Sequence, residues 1–596
     1  MKAEEKPPLY LDAKASTPER VANLLSRMTV EEKIGQMTQV EKNSIKPEDI
    51  SRLYIGSLLS GGGGSPSSNT AENWARMVDG YQAYALKTRL AIPLIYGVDA
   101  VHGHNNLYGA TIFPHNIGLG AANDPALMGE IGRATAEEMT ATGIRWNFAP
   151  VVAVVQDIRW GRTYEGYSEN TQMVSALGTA YVRGLQNAAP GGLSLPPSVL
   201  ATPKHFIGDG GTKWGSSHSG DFRIDQGDLQ VDEATLRALF LPPYKAAIAA
   251  GAQSIMVSFS SWEGTKMHAQ KYLLTDVLKG ELGFQGFLVS DWQAIDQIPG
   301  NYSSDVATSI NAGLDMIMVP YDYKNFIDAL NQAVKKGDIP MARIDDAVRR
   351  ILTVKFNLGL FEKPNSDPAL LATVGSDAHR SLARQAVAKS LVLLKNDGKA
   401  LPLSKENGLV FVGGSGADDI GMQCGGWTIE WQGKSGNITP GTTILAALKA
   451  ASGEKSKVVY DSLGEFKDET GQAEVGIAVV GEPPYAEGVG DRADLSLSPK
   501  DQDLIQKMRE RSQKLVVIIL SGRPVIITDQ LPLADAWVAA WLPGTEAQGI
   551  TDVLFGEVPF TGKLPYTWPR SMDQLPQTEI NADQQPLFPF GYGLGN

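Results

Sequence analysis

Cysteine is almost absent from this 596-residue chain: Cys424 is its single thiol, so neither an internal disulfide nor a cysteine-built metal site can form. Long apolar runs are lacking as well. Although 43% of residues are hydrophobic, no stretch approaches the length needed to cross a bilayer, which argues against membrane insertion. Positive charge is scarce, with 53 Lys and Arg against 66 Asp and Glu and a formal net charge of -13. A surface of that sign repels phosphate backbones, excludes nucleic acid as a natural partner and favours a neutral or cationic ligand. The opening residues Met1 to Lys6 carry no apolar signal stretch. A periplasmic or secreted location, with an export signal already removed, is the expectation, and the cytoplasm is the alternative. Internal repeats and low-complexity tracts are missing too.

What is present is the composition of an ordinary globular protein, too long for one core. Val21, Leu24, Leu25 and Met28 follow helical spacing, and Thr29-Val30-Glu31-Glu32 reads as a capping box opening a second helix. Short apolar runs then alternate with helical stretches: Ile92 to Asp99, Trp146 to Val152, Val199 to His205, Ser254 to Ser261, Phe287 to Asp291 and Asp315 to Val319. Six such βα units in about 360 residues fit a (β/α)₈ TIM-like barrel better than an open sheet. Phe361 to Pro368 is polar with two prolines and suits an exit into a linker. A second βα series follows, at Leu391 to Leu394, Leu409 to Val412, Val475 to Val480, Leu515 to Leu520 and Ala536 to Trp541. The expected organisation is a barrel over 1–362, a linker over 363–378 and an αβα sandwich over 379–596. Gly61 to Gly64 reads as an ordinary flexible loop.

In such a barrel the groups that meet a ligand stand where strands end. Asp99, Lys204 with His205, and Asp291 each close an apolar run, and Arg162 follows a further strand within Arg159-Trp160-Gly161-Arg162. One aspartate at a strand end is usually a helix cap or turn residue. Several charged strand ends in one chain point instead to a site, because buried unpaired charge would otherwise only cost stability. Two carboxylates and three potential cations form a polar cup suited to a neutral polyol such as a sugar. Trp292, Trp427 and Trp431 offer faces on which a sugar ring stacks, the last two within a glycine-rich loop. Two other motifs carry no chemistry. Gly413-Gly414-Ser415-Gly416-Ala417-Asp418 lacks the third glycine of a dinucleotide turn, and His102 and His104 have no companion ligands, so they are assigned to packing or the rim. Neither a metal nor a cofactor is called for.

Taken together, several segments resemble glycoside hydrolase family 3, particularly its two-domain β-glucan glucohydrolases of plants and bacteria. They are Tyr96-Gly97-Val98-Asp99-Ala100-Val101-His102-Gly103, Trp160 to Glu165, Lys204-His205-Phe206 with Gly208 to Thr212, Val289-Ser290-Asp291-Trp292, Gly425 to Trp431 and Phe588 to Gly593. The resemblance spans nearly the whole chain. It implies a retaining, exo-acting β-glucosidase that takes terminal glucose from β-glucosides, β-gluco-oligosaccharides or β-glucans, with glucose as product. Asp291 would be the nucleophile, Asp99, Arg162, Lys204 and His205 would hold the terminal ring, and Trp292 and Trp431 would clamp the next unit. Gly481-Glu482-Pro483-Pro484-Tyr485-Ala486-Glu487 matches the segment that supplies the acid/base and picks Glu487, with Glu482 and Glu430 as rival carboxylates.

Phe259 and Gln226 are counted with the substrate-binding residues. Phe259 stands where plant relatives often have tyrosine, Gln297 where they often have arginine, and the loop after Thr212 differs in length, which leaves the linkage preference open. A retaining pair needs two carboxyls about 5–5.5 Å apart, so the second domain must fold against the barrel mouth. Asp291 is expected ionised beside Arg162, Lys204 or His205, and Glu487 protonated through partial burial and the nearby nucleophile. β-N-Acetylglucosaminidases of the same family use a histidine in the loop after the Lys-His motif; His218 lies there, without the expected Asp-Ser-His triplet. β-Xylosidase activity and a non-catalytic carbohydrate-binding protein are the remaining alternatives.

Overall fold

The computed structural model describes residues 7–186, 192–194, 197–580 and 584–595. Among them, eight short strands lie parallel with helices between them: β1 (Thr38–Glu41), β2 (Ser57–Ser60), β3 (Ile95–Val98), β4 (Trp146–Asn147), β5 (Leu200–Ala201), β6 (Ser254–Met256), β7 (Phe287–Val289) and β8 (Ile317–Met318). β8 pairs with β1, and β1 to β5 pair in chain order. β6 pairs with β7, and single parallel bridges, Phe206 to Val257 and Val289 to Met316, join that pair to its two neighbours. The ring is the expected barrel. Within it, the ring of Trp146 packs steeply against those of Phe148 and Phe287, with centroids 5.0 and 5.2 Å apart.

Thr29 caps the helix Val30–Gln36 as its sequence predicts, its hydroxyl accepting the Glu32 N–H. β1 and β2 are the two strands that apolar runs do not announce. Thr38-Gln39-Val40-Glu41 has three polar residues and Ser57-Leu58-Leu59-Ser60 two, yet every residue in both is buried. Barrel strands near a polar mouth bury hydroxyl and amide groups by pairing them, as Gln39 does with Ser57 at 2.9 Å.

After the helix Asp377–Ser390, a second sheet runs in the order Val392–Asn396, Ala536–Trp541, Ser512–Leu520, Ala473–Gly481, Leu409–Gly413, Lys457–Asp461. The first pair is antiparallel and the rest are parallel. Side chains alternate along Ala473–Gly481: Ile477 and Val479 join a core with the helices Asp377–Ser390, Ile444–Ala451 and Gln548–Leu554, whereas Ala478 and Val480 face the other way. That second core holds the helix Pro499–Glu510 together with Ile158, Trp160 and Tyr164 of the barrel. One outer layer of the αβα sandwich is therefore shared with the barrel. The strand Lys457–Asp461 escapes a periodicity reading because it is a half-exposed edge.

The segment expected as a linker is fastened down. Ser366 binds the Asp79 carboxylate through its amide and hydroxyl at 2.8 and 2.7 Å, and Gln82 donates to the Pro364 carbonyl at 3.0 Å. Among the described residues, no helix is long and apolar enough to cross a membrane.

Candidate active site

The C-terminal ends of the barrel strands open onto one cavity of about 840 Å³. Glu41 at the end of β1, Gly61 after β2, Asp99 after β3 and Phe148 after β4 line half of it. Lys204 and His205 after β5, Phe259 after β6, Asp291 and Trp292 after β7, and Tyr321 after β8 line the rest. This is the face on which barrels of this type carry their chemistry. Trp427, Trp431 and Glu487 reach the same cavity from the second domain. Every residue expected in the site, Gln226 included, faces this space.

The charges are paired before any ligand arrives. Lys204 Nζ donates to Asp99 Oδ1 at 2.6 Å. Arg162 grips Glu165 with two parallel bonds of 2.9 Å and sends Nη1 to Glu487 Oε1 at 3.2 Å. Its Nη2 donates to His205 Nε2 at 3.2 Å, while His205 Nδ1 donates to Asp209 Oδ2 at 2.8 Å. Burial, with Arg162 and Lys204 close by, holds His205 well below its ordinary pKa. It is a neutral ring, and the cations in the cup are Arg162 and Lys204, not all three expected bases.

Asp291 is fixed from two sides. Its own N–H donates to His268 Nε2 at 3.2 Å, and the Trp292 N–H donates to its Oδ1 at 2.7 Å. His205 Nε2 stands 3.7 Å from its other oxygen. Burial pushes the Asp291 carboxyl up to about 6 against the opposing pull of Arg162, the Trp292 amide and Lys204. Burial also pushes Glu487 up to about 8; Arg162 works against it, and the charges of Asp225, Asp291 and Glu165 add to it. Between those values one carboxyl is ionised and the other keeps its proton.

Left-handed backbone recurs around this cavity. Glu487, Trp427, Ile429, Gln226 and Gln293 have φ between 52 and 66°, the left-handed region that side chains rarely adopt. The two tryptophans of the glycine-rich segment part company. Trp431 is 38% exposed on the cavity wall, whereas Trp427 is 5% exposed, with Lys204 Nζ and the Arg162 guanidinium over its ring at 5.7 and 5.9 Å. Gly61 to Gly64 is no free loop. A Cβ on Gly61 would stand 3.0 Å from the Trp292 ring, and one on Gly62 would stand 2.7 Å from the Trp431 backbone and Cβ.

The rival carboxylates lie elsewhere. Glu482 is 4% exposed and taken up by Arg523, Arg492, Tyr485 and the Gly522 amide, and neither it nor Glu430 lines the cavity. His218 is off the cavity. His102 and His104 are packing residues: His102 stacks on His115 at 3.7 Å, and His104 bonds Thr142 at 3.0 Å. Phe259 tilts toward His268 at 6.4 Å, and Gln297 donates to Gln226 Oε1 at 2.9 Å. Sequence reasoning missed Glu165, Asp209, Asp225 and the burial of Trp427 beneath the two cations. Glu165 and Asp209 lie inside the quoted motifs, but nothing local reveals that they grip Arg162 and His205.

Two carboxyls poised at different protonation beside aromatic walls are what cleavage of a glycosidic bond requires, and the class is that of the two-domain glycoside hydrolases. The chain belongs to glycosyl hydrolase family 3, whose N terminal domain matches residues 29–354 and whose C-terminal domain matches residues 391–596. A lysosomal beta glucosidase of Dictyostelium discoideum is 34% identical to it over 96% of this chain and 75% of its own. A periplasmic beta-glucosidase of Salmonella typhimurium is 31% identical over 96% of this chain and 80% of its own. Among solved structures, a mutant of an exo-1,3/1,4-beta-glucanase from a Pseudoalteromonas species is similar with a TM-score of 0.91 at 41% identity, covering 97% of this chain and 95% of that one.

Proposed function

We propose that this protein is a retaining, exo-acting β-glucosidase that removes terminal non-reducing β-D-glucosyl units from β-glucosides, β-gluco-oligosaccharides or β-glucans. The observation that carries the reading is the pair Asp291 and Glu487, which line one cavity from two domains with acidities of about 6 and 8. Near neutral pH, ionised Asp291 attacks the anomeric carbon while the glycosidic oxygen takes the Glu487 proton and the bond to it breaks. Glu487, now a carboxylate, removes a proton from water, which displaces Asp291 and releases β-glucose. Asp99, Lys204, Arg162 and His205 grip the hydroxyls of the terminal ring, and Trp292 and Trp431 flank the next unit. In this reading 1–362 supplies the nucleophile, 379–596 the acid/base, and 363–378 joins them. A location outside the cytoplasm fits a polymeric glucan substrate and the periplasmic relative.

Asp291→Ala is expected to lower turnover of an aryl β-glucoside by about 10³-fold or more while leaving the fold intact. Glu487→Ala is expected to regain activity with azide on an activated substrate, yielding β-glucosyl azide. Near-normal turnover in the first variant, or azide rescue of Glu482→Ala instead of Glu487→Ala, would reassign the roles. The position of His218, away from the cavity, counts against an N-acetylglucosaminidase.

A further inference from the structure

Glu487 opens a short turn, Glu487–Gly490, whose first residue has φ 55°. A glutamate does not hold that conformation by itself, so contacts beyond the turn must fix it. They converge on the residue that follows the turn. Asp491 Oδ1 accepts the Gly161 N–H at 2.9 Å, and Oδ2 accepts the N–H groups of Arg223, Ile224 and Asp225 at 2.9, 2.9 and 3.0 Å. All four donors belong to the barrel, from the segment that leads into Arg162 and the segment that leads into Gln226. One carboxylate from the second domain thus gathers both barrel loops that border the cavity near Glu487.

The packing around this tie leaves the turn little freedom. A Cβ on Gly161 would strike the Glu487 carbonyl, and one on Gly488 would strike the Phe222 ring, so glycine at both positions lets the two domains meet at close range. On the far side, Arg523 donates to the Gly490 carbonyl at 2.6 Å and to the carbonyls of Ile158, Arg159 and Trp160 at 3.3, 3.0 and 3.4 Å. Asp491 itself does not line the cavity and has no part in bond breaking.

We propose that Asp491 is a positioning residue for the acid/base: by binding four barrel amides it holds the Glu487 carboxyl over the glycosidic oxygen. The inference rests on Glu487 being the acid/base. Loss of the tie frees the Glu487 turn to relax toward negative φ and withdraws the proton donor, while Asp291 and the terminal-ring contacts stay in place. The consequence is selective. Cleavage that needs protonation of the leaving group suffers, and cleavage that does not is spared.

The test compares Asp491→Ala, Asp491→Asn and Glu487→Ala with the parent enzyme on aryl β-glucosides of graded leaving-group acidity. With an alkyl or unactivated phenyl glucoside, kcat/KM of Asp491→Ala is expected to fall by about 10²-fold, within the share general acid catalysis supplies. With 2,4-dinitrophenyl β-glucoside it is expected to change less than about threefold, so the dependence on leaving-group pKa steepens and the basic limb of the pH profile flattens. Asp491→Asn keeps the shape and one acceptor, folds even where the alanine variant does not, and shows the same ordering to a smaller degree. Equal losses on all substrates, or no loss on any, would overturn the positioning role. Should Glu487→Ala itself lack the leaving-group dependence, the acid/base assignment fails; should it have the dependence and Asp491→Ala lack it, the positioning inference alone fails.

Discussion

At the residue scale, a single guanidinium does most of the arranging. Arg162 is bound to Glu165, Glu487 and His205 at once, so it ties the Glu487 carboxyl to the barrel and helps burial keep His205 neutral. Burial is the largest cause that raises both Asp291 and Glu487; the charge of Asp99 adds to the first, and those of Asp225, Asp291 and Glu165 add to the second. Hence kcat/KM is expected to be bell-shaped, falling below about pH 6 as Asp291 takes a proton and above about pH 8 as Glu487 loses one. A pH–rate series on an aryl glucoside checks this, and Glu487→Gln should remove the basic limb while keeping the acidic one. The polar strand ends Asp99, Lys204, His205 and Asp291 were legible in the sequence because each interrupts an apolar run. Other carboxylates near the site were not, because nothing in a linear pattern ties Asp225 to Trp160, whose indole N–H donates to it at 2.9 Å across 65 residues.

At the scale of elements, the loop between β2 and the next helix shows what composition hides. Four glycines in a row read as slack chain, yet Gly61 and Gly62 fit where a Cβ would press on Trp292 and Trp431. Gly62→Ala is therefore expected to displace Trp431 and raise KM for a β-linked disaccharide by about 2–10-fold, the worth of one aromatic contact. Turnover of a small aryl glucoside should stay within about twofold, and an unchanged disaccharide KM would take Trp431 out of the aglycone contact. A second tie joins two helices. His379 on Asp377–Ser390 binds Glu138 at 2.8 Å and Glu137 at 3.1 Å, both on Pro125–Ala141. Burial alone would lower this histidine, but its bonds to the two glutamates outweigh that and hold it at about 9. A folded-state value above the unfolded one stabilises fully below pH 6.5 and loses that contribution as pH rises through about 9. Urea unfolding should weaken across that interval by up to about 1.4 kcal/mol per pH unit from this group, and His379→Gln should flatten the slope.

At the scale of the whole molecule, the question is whether a cleft between two domains opens and closes. Apolar packing argues that it does not. Val151, Ile158, Trp160 and Tyr164 from the barrel share one continuous core with Trp541, Tyr566 and Trp568. Tyr566 adds bonds to the carbonyls of Thr163 and Gly166 at 3.2 and 3.1 Å. Two domains were legible as two series of apolar runs, but their fusion was not, since it depends on contacts as distant in sequence as that of Gly166 with Tyr566, 400 residues apart. A shared core couples unfolding, so calorimetry should give one transition whose van't Hoff and calorimetric enthalpies agree. Trp568→Ala, within the second domain, should cost about 3–5 kcal/mol and shift that one transition downward as a unit. Activity should vanish at the same temperature, because a rigid junction is what keeps the Glu487 carboxyl opposite Asp291. Two resolved transitions, with only one of them moved by the substitution, would mean that the domains are independent and that the active cleft is held by its polar ties alone.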